Sequence, residues 1–251
     1  MLRGPTTEFT GDALAGTWNR ELPGTGIEVV LEFDGVWDLE LDGRRTETRG
    51  FVAGMVAGPV RSRSRGPVRL VQLAVDPLDL PALFGVPAGE LSGLAAPADA
   101  LLGADLGRLL DQLHGSDART ADAERWALSR IAASKADHRG PLVPADIVRA
   151  TDLIRASRGA IRIEAVAAEL GCSRRHLARR FAEWVGVTPS EFRRLARFEH
   201  VTGQLRTAPR QPLGSLALDC GFADHAHMDR EFTTLAGEPP SAVAARFAAR
   251  R

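Results

Sequence analysis

Four arginines crowd eight residues, "SRRHLARR" at 173–180. On a helix turning 100° per residue with Leu177 facing a core, Arg175 and Arg179 lie about 160° and 200° away, on the outward face. Arginine can donate a bidentate pair to guanine O6 and N7, so the chemistry these two suit is base reading in a DNA major groove. Arg174 and Arg180 flank that face and suit phosphates or the groove edge. Fifty-one residues on, "DHAHMDREF" repeats the apolar spacing with Met228 and Phe232 in place of Leu177 and Phe181. Its outward positions are Ala226 and Arg230, with His225 and His227 to the sides. Alanine can at best touch a thymine methyl. The first copy is therefore expected to read bases strongly, and the second more weakly, through phosphates and DNA shape.

Each arginine or histidine cluster needs a second helix to hold it. Ile163, Val166, Ala167 and Leu170 sit at i, i+3, i+4 and i+7, and Leu213, Leu216, Ala217 and Cys220 repeat the pattern fifty residues later. Gly171 and Gly221 then stop the helix, where a left-handed backbone is least costly for glycine. The offset of fifty becomes fifty-one in the second helix, so the second turn is one residue longer. Helix, short turn with glycine, helix is the helix-turn-helix plan, and the small Ala167 and Ala217 let the two helices cross closely. The motifs fall at about residues 161–184 and 212–235. Between them Thr188-Pro189-Ser190-Glu191 reads as a capping box with proline at the first helical position. It opens a helix with Phe192, Leu195, Phe198 and Val201 as its buried stripe. At about 17 residues that helix would hold the two motifs roughly 25–35 Å apart, near one turn of duplex.

The rest of the chain frames this half. The 251 residues carry no net charge, but residues 1–145 sum to −5 and residues 146–251 to +5. A basic half beside an acidic half suits a polyanion partner for one domain only. We expect a boundary within "ADHRGPLVPAD", giving an N-terminal domain over 1–140 and an all-helical one of seven helices over 141–251. Upstream, "IEVVLEF", "VWDLEL", "GFVAGMVAG" and "VRLVQLAVDP" read as strands of a small antiparallel sheet, closed or half-closed into a barrel. Asp34-Gly35 reads as a tight hairpin between two of them. The alternating "RSRSRG" at 61–66 reads as a solvated hairpin end, with an acidic ligand as the other reading. Leu102, Leu106, Leu109, Leu110 and Leu113 form a helical stripe that packs on the sheet or seams a dimer. Trp18, Phe33 and Trp37 either line an apolar effector pocket or are plain core.

Residues 146–247 resemble the DNA-binding domain of AraC/XylS-type bacterial transcription regulators. The resemblance rests on "VAAELGCSRRHLARRFAEWVGVTPSEFRRLARFEHVTGQL" and "LALDCGFADHAHMDREFTTLAGEPPS", with Gly221-Phe222, Phe232, Gly237 and Pro240 matching the second signature. It implies base-reading positions at Arg175, Ala178, Arg179, His225, Ala226 and Arg230, with Ala178 and Ala226 shorter than is usual there. It also implies an N-terminal domain that senses a small molecule, mediates dimerisation, or both, similar to cupin-like sensors. The implied partners are operator DNA, RNA polymerase, an effector and a second copy of the chain. After Pro240 the family usually has an aromatic residue followed by arginine. Val243 and Ala244 stand there, and a loosely packed last helix is expected.

Other chemistries find little support. The first histidine is His114, so no histidine set for a metal-dependent cupin enzyme occurs among the strands. His225 and His227 point about 200° apart on a helix and would not converge with Cys220 on one metal. No Gly-x-Ser-x-Gly elbow or lysine-bearing phosphate loop is present. The expected protein is a cytoplasmic regulator of α+β class, with no enzyme activity, cofactor or membrane partner. Two lone cysteines fit that reducing compartment. The competing class is a non-specific nucleic-acid binder or a protein-interaction module using the same basic helices.

Overall fold

The computed structural model describes residues 2–4, 6–11, 15–41, 43–137 and 140–249. Its strands form two antiparallel sheets. The larger runs in the order β1 (Thr7–Gly11), β8 (Val68–Val75), β3 (Ile27–Glu32), β6 (Phe51–Ala53) and β9 (Ala95–Pro97). The smaller runs β2 (Asn19–Glu21), β7 (Val60–Ser64), β4 (Trp37–Leu41) and β5 (Arg44–Thr48). Side chains alternate across a strand, and β3 is buried on both faces. Val30 packs between the sheets with Trp37, Leu39, Leu41, Phe51, Val68 and Leu70. Ile27, Val29 and Leu31 face the helices.

Two local expectations are corrected. Strands β3 and β4 belong to different sheets, so Asp34-Gly35 makes no tight hairpin between them. The buried Glu32 organises the crossing instead, accepting from the Gly35 and Arg69 amides at 3.0 and 3.1 Å and from the Trp37 indole at 2.9 Å. The close turn joins β4 to β5, where Leu41 lies opposite Arg44 and Gly43 has φ +75°. Likewise "RSRSRG" is no hairpin end, because most of it forms β7, an inner strand of the smaller sheet. Its period of two buries Ser62 and Ser64 and turns Arg61 and Arg63 outward.

Beyond β8 come α1 (Leu80–Phe84), a 3-10 turn at Ala88–Leu91, α2 (Ala98–Leu102), α3 (Ala104–His114) and α4 (Arg119–Ala136). Gly103, at φ +54°, divides the leucine stripe. Leu109 and Leu113 are buried with Ala123, Ala127 and Ile131 of α4, in the core behind the larger sheet. The seven remaining helices are α5 (Ala145–Ala156), α6 (Ile163–Glu169), α7 (Arg174–Val185), α8 (Pro189–Thr207), α9 (Leu213–Asp219), α10 (His225–Ala236) and α11 (Pro240–Ala249). No described helix is long and apolar enough to cross a membrane.

The apolar core is continuous from the larger sheet into these helices. Between α4 and α5 lies the expected domain junction, and polar contacts cross it. Arg155 pairs with Asp76 at 2.6 Å, the Thr25 hydroxyl donates to Glu199 at 2.6 Å, and the Ser92 hydroxyl donates to the Gly186 carbonyl. The 3-10 turn at Ala88–Leu91 presses on the end of α7 so closely that a Cβ on Gly89 would stand 2.3 Å from the Glu183 carbonyl oxygen.

Candidate functional site

The first helix pair buries Val166, Ala167, Leu177 and Phe181, which leaves the opposite face of α7 to solvent. Ser173 caps α7, its hydroxyl accepting from the His176 amide at 3.2 Å. The four arginines then divide by task. Arg174 reaches back to Glu164 of α6 at 2.5 Å, and Arg180 reaches Asp146 of α5 at 2.5 Å. The half-buried Arg180 pair braces α7 against α5, whereas the Arg174 pair lies in water. Arg175 and Arg179 are exposed, and neither side chain has a protein partner among the described residues. Half-buried Ala178 lies beside them.

In the second pair Leu216, Ala217, Met228 and Phe232 are buried, and Asp224 caps α10 by accepting from the His227 amide at 2.6 Å. Exposed Ala226 and Arg230 face outward, with exposed His225 3.3 Å from Asp229. His227 turns inward to serve the fold. Its ring stands edge-on to Phe222 at 5.4 Å and accepts from the Ala223 amide at 3.3 Å. Asp224, Asp229 and Glu231 surround this surface, so its electrostatics differ from those of α7.

Helix α8 joins the two, opened by the expected capping box. Thr188 and Glu191 exchange side-chain-to-backbone hydrogen bonds at 3.3 and 2.8 Å. Its 19 residues span about 28 Å at 1.5 Å per residue. The expected stripe of Phe192, Leu195, Phe198 and Val201 is buried. Sequence reasoning passed over Arg197, which is 5 % exposed on the same helix. Its guanidinium donates to Glu231 of α10 at 2.9 Å and to the Gly221 carbonyl at 3.3 Å, and lies 4.6 Å from the Phe222 ring centre. One arginine thereby ties the connecting helix to the turn and to α10. Val243 and Ala244 of α11 are buried too, contrary to the expected loose packing.

A second site lies between the sheets, a cavity of about 270 Å³. Of the three aromatic candidates, only Trp37 lines it, with Leu39, Phe51 and Leu70. Trp18 sits on the outer face of the smaller sheet, with the Arg61 and Arg63 guanidiniums 5.0 and 4.8 Å from its ring centre. Phe33 packs edge-on against His114 and under Arg69.

The polar lining was not anticipated. Glu28 of β3 and Gln72 of β8 meet at 2.8 Å inside the cavity, and Glu21 of β2 accepts from Ser62 of β7 at 2.5 Å. Burial pushes the Glu28 carboxyl up to about 7; the Gln72 amide opposes the rise, and the Glu21 and Glu199 charges add to it. An acidic residue in "IEVVLE" was the available signal, but with both faces of β3 buried its direction was not readable. Where α11 meets the cavity, Arg246 donates to the Arg20 carbonyl at 3.0 Å and pairs with Glu238 at 2.6 Å. The Arg20 guanidinium donates to the carbonyl of Gly237, the residue that ends α10.

A family model described as a helix-turn-helix domain matches residues 166–246. Among solved structures, ToxT from Vibrio cholerae shares 10 % identity over 96 % of this chain and 98 % of its own, with a TM-score of 0.57. ToxT from the same species bound to an unsaturated fatty acid gives 11 %, 97 %, 96 % and 0.57. ToxT bound to a naphthyl-butenoic acid gives 11 %, 97 %, 100 % and 0.56. At such identities the likeness is one of fold. No curated protein sequence matches the chain. Residues 166–246 thus match a helix-turn-helix domain, carried on a chain whose overall fold is similar to that of ToxT.

Proposed function

We propose that the protein is a sequence-specific transcription regulator that reads operator DNA with α7 and α10 and responds to a small molecule held between its sheets. The observation that carries the first part is the pair of unpartnered arginines on the outward face of α7. Two free guanidiniums one turn apart suit successive guanines in a major groove. Arg230, His225 and Ala226 on α10 make the weaker second contact, and Arg174 and Arg180 act through the position of α7. A helix of about 28 Å between the motifs suits two major grooves on one side of the duplex.

ToxT, of the same fold, binds an unsaturated fatty acid and a naphthyl-butenoic acid. We assign a molecule with an apolar body to the cavity between the sheets of this chain, on its Trp37, Leu39, Phe51 and Leu70 lining. Because Arg20 touches the end of α10 and Arg246 belongs to α11, an occupant that moves either side chain shifts the second reading helix. Recruitment of RNA polymerase, pairing of two copies, a cytoplasmic location and the absence of enzyme activity belong to the same proposal. The domain division at 140–141 does too, with the sensing and reading parts in contact along the seam.

Selection from a random DNA pool with the intact protein tests it. The expected product is a motif of two unequal boxes about one helical turn apart. Arg179→Ala should weaken operator binding by about 1–3 kcal/mol and relax choice at one base pair. Recovery of no motif, or equal weakening on every sequence, would make the protein a non-specific binder.

A further inference from the structure

This inference rests on the cavity being the effector site and concerns what that site accepts. Its apolar part is built for a ring-sized body, with Trp37 and Phe51 edge-to-face at 6.3 Å and Leu39 and Leu70 beside them. The charges on its polar lining decide the rest.

Two carboxyl groups with unused acceptor capacity line the cavity. Glu28 uses one oxygen for Gln72, and its other oxygen has no donor among the described residues. Glu21 likewise uses one oxygen, for Ser62. Glu32, four residues further along the same inner face, shows what a structural carboxylate looks like here: three backbone amides and an indole fill its oxygens. Of the nearby cations, Arg246 pairs with Glu238 and Arg155 of α5 with Asp76, while Arg3 donates to the Thr25 hydroxyl and Arg20, at the cavity's edge, keeps its charge and gives one donor to the Gly237 carbonyl. Glu199 of α8, which takes the Thr25 hydroxyl, adds a further negative charge near Glu28.

We infer that the cavity takes an apolar amine, its ring body against Trp37 and Phe51 and its ammonium donating to Glu28 and Glu21, rather than an acid of the kind bound by ToxT. Above about pH 7 a carboxylate ligand meets two like charges, Glu28 within the cavity and Glu21 at its exposed edge, whereas an ammonium supplies the missing donors. Its entry expels the proton that burial keeps on Glu28 up to about pH 7. Affinity for the cation therefore rises with pH, by about tenfold per unit below 7, and levels off above it.

The test is calorimetric titration of the full chain with three probes of one shape: naphthylmethylamine, naphthylacetate and naphthylmethanol. At pH 8 the amine should bind at least about tenfold more tightly than the other two, and at pH 6 its binding should release a proton to buffer. Glu28→Gln should weaken the amine about tenfold or more and flatten its pH dependence, with the alcohol unchanged within about twofold. Acetate or alcohol binding as tightly as the amine, or an amine indifferent to Glu28→Gln, would overturn the ligand class and leave the cavity reading intact. Binding of none of the three would overturn both.

Discussion

At the scale of single residues, what separates one arginine or carboxylate from the next is whether the fold has already used it. Arg174 and Arg175 are neighbours in sequence, yet one is tied to Glu164 and the other has no partner among the described residues. Helix geometry made Arg175 and Arg179 legible as the outward pair, since it needs only the position of Leu177. It could not identify Asp146 as the partner of Arg180, because 34 residues separate them. The same contrast divides Glu28 from Glu32 on one strand face. Because the folded protein holds the Glu28 proton more tightly than the unfolded chain does, stability should fall as pH rises from about 4.5 to about 7, then stay level. Glu28→Gln should remove that slope and raise stability at pH 8 by about 2–3 kcal/mol, as measured by denaturant unfolding across the range. An unchanged slope would mean that Glu28 ionises freely.

At the scale of elements, caps and apolar periods carried the reading furthest. Thr188-Pro189-Ser190-Glu191 opens α8 as expected, and the fifty-residue repeat predicts both helix pairs, because these signals are local. Local logic misjudged Asp34-Gly35, a turn-favouring dipeptide that stands where the chain passes between sheets. It also missed the strand in "RSRSRG", whose alternation puts serines rather than apolar residues inward. The link between α8 and α10 depends on a buried pair, Arg197 and Glu231, with side chains 6 % and 13 % exposed. Glu231→Ala should leave that guanidinium short of its counter-charge and cost about 3 kcal/mol in thermal or chemical unfolding. Loss should be greater than for exposed Glu164→Ala, whose pair with Arg174 lies in water.

At the scale of the whole molecule, the seam between sheets and helices is where a signal would pass. The segment from Ala88 to Leu91 gave no periodic signal, yet it is the piece that presses on the end of α7. Gly89→Ala would place a methyl group 2.3 Å from the Glu183 carbonyl oxygen, so the turn or the helix must move. The expected result is an unfolding temperature lower by several degrees and a changed operator affinity, although no DNA-facing residue is altered. If both stay at wild-type values, the seam yields without consequence and does not couple the two parts.

By itself the sequence determined the two helix-turn-helix units, the capped helix between them, their unequal outward faces and the strand-rich character of what precedes them. Each of these follows from spacings of a few residues. Only the tertiary structure decided which arginines remain free, which aromatic ring lines the cavity, and that two carboxyl groups stand there beside unused acceptor sites. Those outcomes depend on partners such as Asp76 with Arg155, or Arg20 with Gly237, that lie 79 and 217 positions apart. A side chain's chemistry is set by its type, but its availability is set by what the rest of the chain brings within about 3 Å of it.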